Sequence, residues 1–362
     1  MTRTGLLPSR PTLLAFLLSR AIVLVAAVAA ETVVARNPRL TIGADAPILR
    51  SLTAWDGWWY LGIARDGYQA VPLFDGYTNL AFWPLYPMVV RFLSLPWPAL
   101  DGLVAVVVSN LAFLVALSTV EALGRVVVGE ARAVRGASLL ALSPFGFVFS
   151  MAYPESLFLL FGAGACFAAE RGRWPAAGLL LALAALDRPN ALVLLPTLVV
   201  IGLRGLERTE RHRLAWLLPA PAVAVAFLGF TALLAGRPDA YLEAQAAWGR
   251  GGIGSTGETL GASLDLIRGA QLATFLAGVY LLVFVRPDRL PGPYVAWIVA
   301  ALGLVFASGN LVSVGRHLTV VVPYFWLLAG RGSWLGRVAW PIASAVLLFA
   351  FALVNFAGWY VP

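Results

Sequence analysis

The chain has 362 residues, 60% of them hydrophobic and only 12% charged, with a mean hydropathy of +0.83. That balance excludes an ordinary soluble domain and predicts an all-α, polytopic membrane protein. The net charge of +8 comes wholly from arginine, since the sequence holds no lysine. Arginine at the ends of apolar runs reads as topology and anionic-lipid contact rather than nucleic-acid binding.

The predicted elements begin with an apolar run at 11–34. Arg3 and Arg10 precede it as in a signal peptide, but its length and the interruption by Arg20 favour an uncleaved first span. Further spans are expected near 101–124, 136–152, 155–170, 174–187, 190–203, 214–235, 270–286, 291–308, 318–330 and 337–357, about eleven transmembrane helices in all. The 174–203 pair also reads as one long helix kinked at Pro189. Within the first loop, 56–65 and 82–95 read as helices lying along the membrane interface. Pro84, Pro87 and Arg91 in a short apolar stretch keep the second from crossing. With the N-terminus inside, the short arginine-dense loops around Arg125–Arg135, Arg171–Arg173 and Arg204–Arg213 fall on the cytoplasmic side. The long segments 35–100 and 236–269 then lie outside. Neither is large enough for a separate nucleotide-binding unit, and no phosphate-binding glycine motif appears, so residues 1–362 read as one membrane domain. Cys166, the sole cysteine, excludes disulfides and cysteine-ligated metals.

Residues able to do chemistry concentrate on the proposed outer side. Asp56 stands between Trp55 and Trp58-Trp59-Tyr60, directly after the first span. In a helix over 56–65, Asp56, Trp59, Tyr60 and Ile63 share one face. Asp56 reads as a helix N-cap and as a general base, and the two roles are compatible because capping favours the ionised form. Asp66-Gly67 and Asp75-Gly76 read as turns. Tyr153 and Glu155, in Tyr-Pro-Glu-Ser between two spans, suit a sugar hydroxyl, an arginine or a helix N-terminus. Asp187-Arg188-Pro189-Asn190 interrupts a very apolar run. It reads as an internal Asp187–Arg188 pair or as Arg188 clamping a phosphate, with Asn190 beside it. His317 after Arg316 faces the same side, as interfacial packing or as part of a site. Gln245, Trp248 and Arg250 precede a glycine-rich stretch that is either a plain flexible loop or one that moves over a bound substrate. The scattered carboxylates do not form a Mg²⁺ or Mn²⁺ site, so neither a metal nor another cofactor is expected.

These strings in this order resemble a known family. Trp55-Asp56, Trp59-Tyr60, Ile63-Ala64 and Gly67-Tyr68, followed by Ala81 to Pro87, are similar to the bacterial relatives of the second mannosyltransferase of glycosylphosphatidylinositol-anchor synthesis. Tyr153 to Phe158, Arg188 to Asn190, Ala244 to Arg250, and Arg316-His317 with Pro323 continue the likeness, which runs from about residue 15 to 330. Eukaryotic members tend to show His where Trp59 stands, so acceptor details do not carry over.

The resemblance implies a GT-C-type integral-membrane glycosyltransferase with an outward-facing site in the cell membrane. It implies a polyprenyl-phosphate mannose donor, a glycolipid or glycan acceptor, Asp56 as base, and no nucleic-acid partner. The reaction expected is inverting, with mannose passing to an acceptor hydroxyl. The substrate-binding set expected around Asp56 is Trp55, Trp59, Tyr60, Tyr153, Glu155, Arg188, Asn190, Gln245, Trp248, Arg250, Arg316 and His317. The alternative is a transporter or flippase using Glu155, Asp187 and Arg188 along a polar path, although Trp55-Asp56 has no repeat in the second half.

Overall fold

In the computed structural model, residues 8–37, 46–73, 76–248, 266–284, 290–308, 313–330 and 338–359 are described. These residues form helices and turns, with no β-strand among them. In chain order the α-helices are α1 (Arg10–Thr32), α2 (Pro47–Thr53), α3 (Asp56–Asp66), α4 (Leu85–Ser94), α5 (Asp101–Val127), α6 (Glu130–Ala141), α7 (Glu155–Glu170) and α8 (Trp174–Asp187). They continue with α9 (Leu194–Gly205), α10 (Pro219–Ala235), α11 (Ala240–Ala247), α12 (Leu266–Phe284), α13 (Gly292–Ser308), α14 (Val314–Thr319), α15 (Val322–Ala329) and α16 (Trp340–Phe356).

Three helical stretches among the described residues are long and apolar enough to cross a bilayer: Arg10–Thr32, Pro98–Val127 and Arg208–Ala235. The others are shorter, so among the described residues three of the expected eleven spans are matched by helices of crossing length. Leu14, Leu17, Leu24 and Val25 on α1, Leu103, Val107 and Leu111 on α5, and Val225 and Leu233 on α10 are exposed. A large exposed apolar surface of this kind needs lipid. The protein is a multi-pass membrane protein.

Sequence chemistry sets where the helices start and stop. Proline occupies the first turn of α1, α8, α10, α15 and α16, where its missing N–H costs nothing. The span expected at 136–152 is broken instead: α6 ends at Ala141, and a 3₁₀ turn, Gly146–Ser150, follows Ser143-Pro144. The proline cannot donate to a continuing helix and disfavours helical geometry in the residue before it. Pro189 acts likewise on Arg188, which is extended (φ −154°, ψ 135°), so 174–203 is two helices rather than one kinked helix.

The bundle core sets α5 beside α6 and α7, α7 beside α8, α8 beside α10, and α1 beside α6 and α16. Small residues let these backbones approach. A Cβ on Gly178 would lie 1.8 Å from the Trp216 carbonyl oxygen, so only glycine fits there. Arg20, inside α1, donates to the Ser150 hydroxyl (2.7 Å) and the Gly146 carbonyl (3.0 Å), with its guanidinium 4.9 Å from the Phe113 ring. An intramembrane charge is thereby turned inward, as its desolvation requires.

The first loop carries the two expected helices, α3 and α4, and a third, α2, that the sequence reading left as loop. Arg91 of α4 donates to the Ala64 (2.9 Å) and Arg65 (3.1 Å) carbonyls, the orphan acceptors at the C-terminus of α3. Gly67, at φ 82°, then ends α3 in the turn expected of Asp66-Gly67. Asp75 lies outside the described residues. The second loop also holds a short helix, α11, which takes in Gln245 ahead of the glycine-rich stretch. The glycine-rich part, with Arg250, lies outside the described residues.

Candidate functional site

The polar residues of the first loop, of the α6–α7 and α8–α9 junctions, and of α14 meet at one end of the bundle. The chain there is tightly knit. The Ala152 N–H donates to the Leu52 carbonyl (2.8 Å), and the Asp56 N–H donates to the Tyr153 hydroxyl (3.2 Å). Asp56 is the first residue of α3, and Trp55 holds the N-cap position without a side-chain cap bond. The aspartate is therefore not the N-cap that its sequence context suggested. As an acid in the first turn it still meets the positive end of the helix dipole.

Four charged groups form a chain. The Asp56 carboxylate receives Arg316 Nη1 on Oδ2 (2.6 Å). Arg316 Nε lies 3.0 Å from Glu155 Oε1, and Arg188 Nη1 binds the same oxygen. Glu155 is fully buried, and the Arg188 and Arg316 side chains are nearly so, whereas the Asp56 side chain is 14% exposed. Burial works to lower the affinity of Arg316 for its proton, but the flanking Glu155 and Asp56 carboxylates prevail and raise it, so Arg316 stays a cation. Its guanidinium also lies 5.1 Å from the Tyr153 ring centre, in cation–π range. Burial pushes the Tyr60 and Tyr153 phenols up, so both remain protonated.

The backbone explains why Arg316 reaches so far in. Gly315 packs against Phe145: a Cβ there would sit 2.4 Å from that ring, which is itself stacked on Phe351 of α16 at 4.9 Å. The absence of a side chain lets α14 press into the bundle and deliver the next residue to Asp56.

His317 Nδ1 faces two donors, Asn190 Nδ2 at 3.2 Å and Arg188 Nη2 at 3.5 Å. Nδ1 is thus assigned as an acceptor, which puts the ring proton on Nε2. The aromatic side of the site comes from α3 and the loops. Trp59 stacks on Phe82 (centroids 5.6 Å, 10°), and Trp248 meets both rings edge-on at 5.6 and 5.5 Å. Gln245 Nε2 donates to the Ala81 carbonyl (3.0 Å), which ties α11 to the first loop.

These groups surround a cavity of about 710 Å³. Asp56, Tyr60, Arg188, Asn190, Gln245, Trp248, Arg316 and His317 line it. Among the other residues expected in the site, Trp59, Tyr153 and Glu155 stand behind that lining, where they contact its members, while Trp55 precedes Asp56 in the chain and turns its indole to Asn355. Glu155 faces arginines, one of the partners its sequence context allowed. The Asp187–Arg188 pair considered from the sequence does not form: Arg188 binds Glu155, and neither carboxylate oxygen of the buried Asp187 has a hydrogen-bond partner of standard geometry.

The sequence reading missed the opposite wall. Ala300, Gly303, Leu304 and Ala307 of α13 line the cavity, as do Leu192 and Val193. The helical spacing of small residues at 300, 303 and 307 was the available signal, obscured by the uniform hydrophobicity of α13. The cavity is therefore amphipathic, with a charged pole on one side and an apolar wall on the other. Among the described residues, no group of three or more His, Cys, Asp or Glu is gathered as if for a metal ion.

Such a helical membrane protein, with one partly exposed acid and two buried arginines around an amphipathic cavity, has the organisation of an integral-membrane enzyme. The sequence profile of the mannosyltransferase (PIG-V) family matches residues 12–216, and the chain belongs to that family. It is similar to the GPI alpha-1,6-mannosyltransferase 2 of Cricetulus griseus and of Mus musculus, 35% identical to each over 168 residues. Each match covers 44% of this chain and 33% of the relative, so the chain aligns with about a third of the length of these proteins. Among solved structures, it resembles the oligosaccharyltransferase of Archaeoglobus fulgidus with a TM-score of 0.48 and 12% identity, over 95% of this chain and 56% of that one.

Proposed function

We propose that this protein is an inverting GT-C-type glycosyltransferase that moves mannose from a polyprenyl-phosphate donor to an acceptor hydroxyl on the extracytoplasmic side of the cell membrane. The observation that carries this reading is the Asp56 carboxylate in the wall of the 710 Å³ cavity, within one guanidinium of the buried Arg188–Glu155–Arg316 cluster. Transfer from a lipid phosphate needs two things at once: a base for the incoming hydroxyl and cations for the departing phosphate. Asp56 supplies the first and Arg188 and Arg316 the second.

In the reaction, Oδ1 of Asp56 takes the acceptor's proton while that oxygen attacks the anomeric carbon. The bond to the phosphate oxygen breaks on the opposite face, through an oxocarbenium-like transition state. The electron pair of that bond leaves with the phosphate, whose charge meets Arg188, Arg316 and the Nε2–H of His317. The aromatic group around Trp248 offers a stacking face for a sugar ring. The apolar α13 wall suits the donor's hydrocarbon tail, and a glycolipid or glycan suits the acceptor side.

Purified protein incubated with labelled prenyl-phosphate mannose and a hydroxyl acceptor tests this. Mannose transfer that vanishes in Asp56→Asn is the expected result. An Asn variant with near-normal turnover would remove Asp56 as the base.

A further inference from the structure

Trp55 immediately precedes the proposed base, yet it does not line the cavity. Its backbone is the only positive-φ non-glycine among the described residues, at φ 59° and ψ −126°. The Gly57 N–H donates to the Ala54 carbonyl (3.1 Å), closing a four-residue turn over Ala54-Trp55-Asp56-Gly57. Trp55 thus occupies the first central position of a type II′ turn, a conformation dominated by glycine. A bulky residue persists there only when its surroundings over-determine it, and such strain gathers at functional sites.

The surroundings are specific. The indole Nε1 donates to the Asn355 carbonyl (3.3 Å) in the last turn of α16, an oxygen that also accepts the Gly358 N–H (2.9 Å). That end of α16 is docked in turn on the chain after α1: the Asn37 N–H donates to the Ala357 carbonyl (2.8 Å), and Asn37 Nδ2 to the Gly358 carbonyl (3.0 Å). From the other side, the Tyr153 hydroxyl accepts the Asp56 N–H, and Gly57 packs on Ala152. The turn is therefore clamped between α16 and the α6–α7 junction, and the residue it aims is Asp56.

We propose that Trp55 is a positioning residue for Asp56. The strained turn directs the acid toward Arg316 and the cavity, and the indole anchors that turn to α16. A smaller side chain would lose the anchor, leaving Asp56 to wander from the geometry that the transfer needs. This inference rests on the reading of Asp56 as the base. It also gives α16, outside the part of the chain matched by the family profile, a share in the reaction.

The test uses the full chain in lipid nanodiscs with three variants: Trp55→Phe, Trp55→Gly and Trp55→Ala. Trp55→Phe keeps an aromatic ring but removes the donor, and is expected to lower kcat about tenfold with both KM values unchanged. Trp55→Gly relieves the backbone and removes the anchor, and is expected to lower kcat by about 10²-fold, the scale of a 1 Å misplacement. Because glycine accepts the positive φ and alanine does not, Trp55→Gly is expected to melt above Trp55→Ala. Wild-type kcat in both the Phe and Gly variants, or a rise in both KM values matching the fall in kcat, overturns the proposal. A melting order with Ala above Gly removes the strained turn, independently of any activity. A wild-type chain that transfers no sugar fails the functional reading and takes the positioning role with it.

Discussion

Two buried ion clusters lie at opposite ends of this bundle, and the one at the first-loop end lines a cavity of about 710 Å³. At the end away from the first loop, the fully buried Glu121 carboxylate receives the Ser9 N–H (3.2 Å) and hydroxyl (2.8 Å) together with Arg125, which also binds Glu130. Both Glu121 oxygens are satisfied from within the protein. At the first-loop end, Glu155 Oε1 serves two arginines while Oε2 has no hydrogen-bond partner, and Asp56 opens on the cavity. The first cluster is complete and ties the start of α1 to α5. The second is held in place but incomplete, which is what a ligand-binding arrangement requires.

Substitutions at the two ends should sharpen this contrast. The largest effect is expected from Asp56→Asn, which keeps an oxygen for Arg316 but cannot take a proton: labelled-mannose transfer should fall by about 10²–10⁴-fold with folding intact. Glu155→Gln leaves two buried guanidiniums without their shared anion. Thermal or chemical denaturation should show a loss of about 3–5 kcal/mol, accompanied by lower transfer. Arg188→Ala removes a charged donor from the cavity wall. Its expected signature is an increase of about 10–100-fold in the KM for prenyl-phosphate mannose, with the acceptor KM unchanged, on the scale of a lost charge-assisted hydrogen bond. Unchanged donor KM would remove the phosphate clamp. The smallest effect belongs to the far end: Glu121→Gln should cost about 1 kcal/mol of stability and leave kcat per folded molecule at the wild-type value. A Glu121 variant that loses transfer as Asp56→Asn does would erase the distinction between the clusters.

Much of this arrangement was legible in the residues. Apolar runs marked α1, α7, α8, α10, α13 and α16 to within a few residues. Pro84, Pro87 and Arg91 marked α4 as a short surface helix. The charged interruptions at Asp56, Glu155, Arg188 and Arg316 were conspicuous against so apolar a background. Their mutual pairing was not, because which carboxylate meets which guanidinium depends on helix rotation and on the close approach at Gly315. Local spacing left Asp187 with Arg188 as one of two readings, and the backbone of Arg188 is extended before Pro189, with its guanidinium on Glu155. Trp55 was conspicuous as a neighbour of Asp56, but its indole meets Asn355, three hundred residues away in sequence, a contact that no local spacing reveals. Helix α2 was missed because its seven residues carry no apolar periodicity long enough to register.

The break at Pro189 has one more consequence. Helix α8 has 14 residues, a length of about 21 Å at 1.5 Å per residue, against a hydrocarbon layer of about 30 Å. Helix α8 is thus shorter than that layer, and the break at its end sets Arg188 in the wall of the cavity. Under the proposed function, a donor's lipid phosphate has to enter that cavity to meet Arg188 and Arg316, whose side chains are nearly buried.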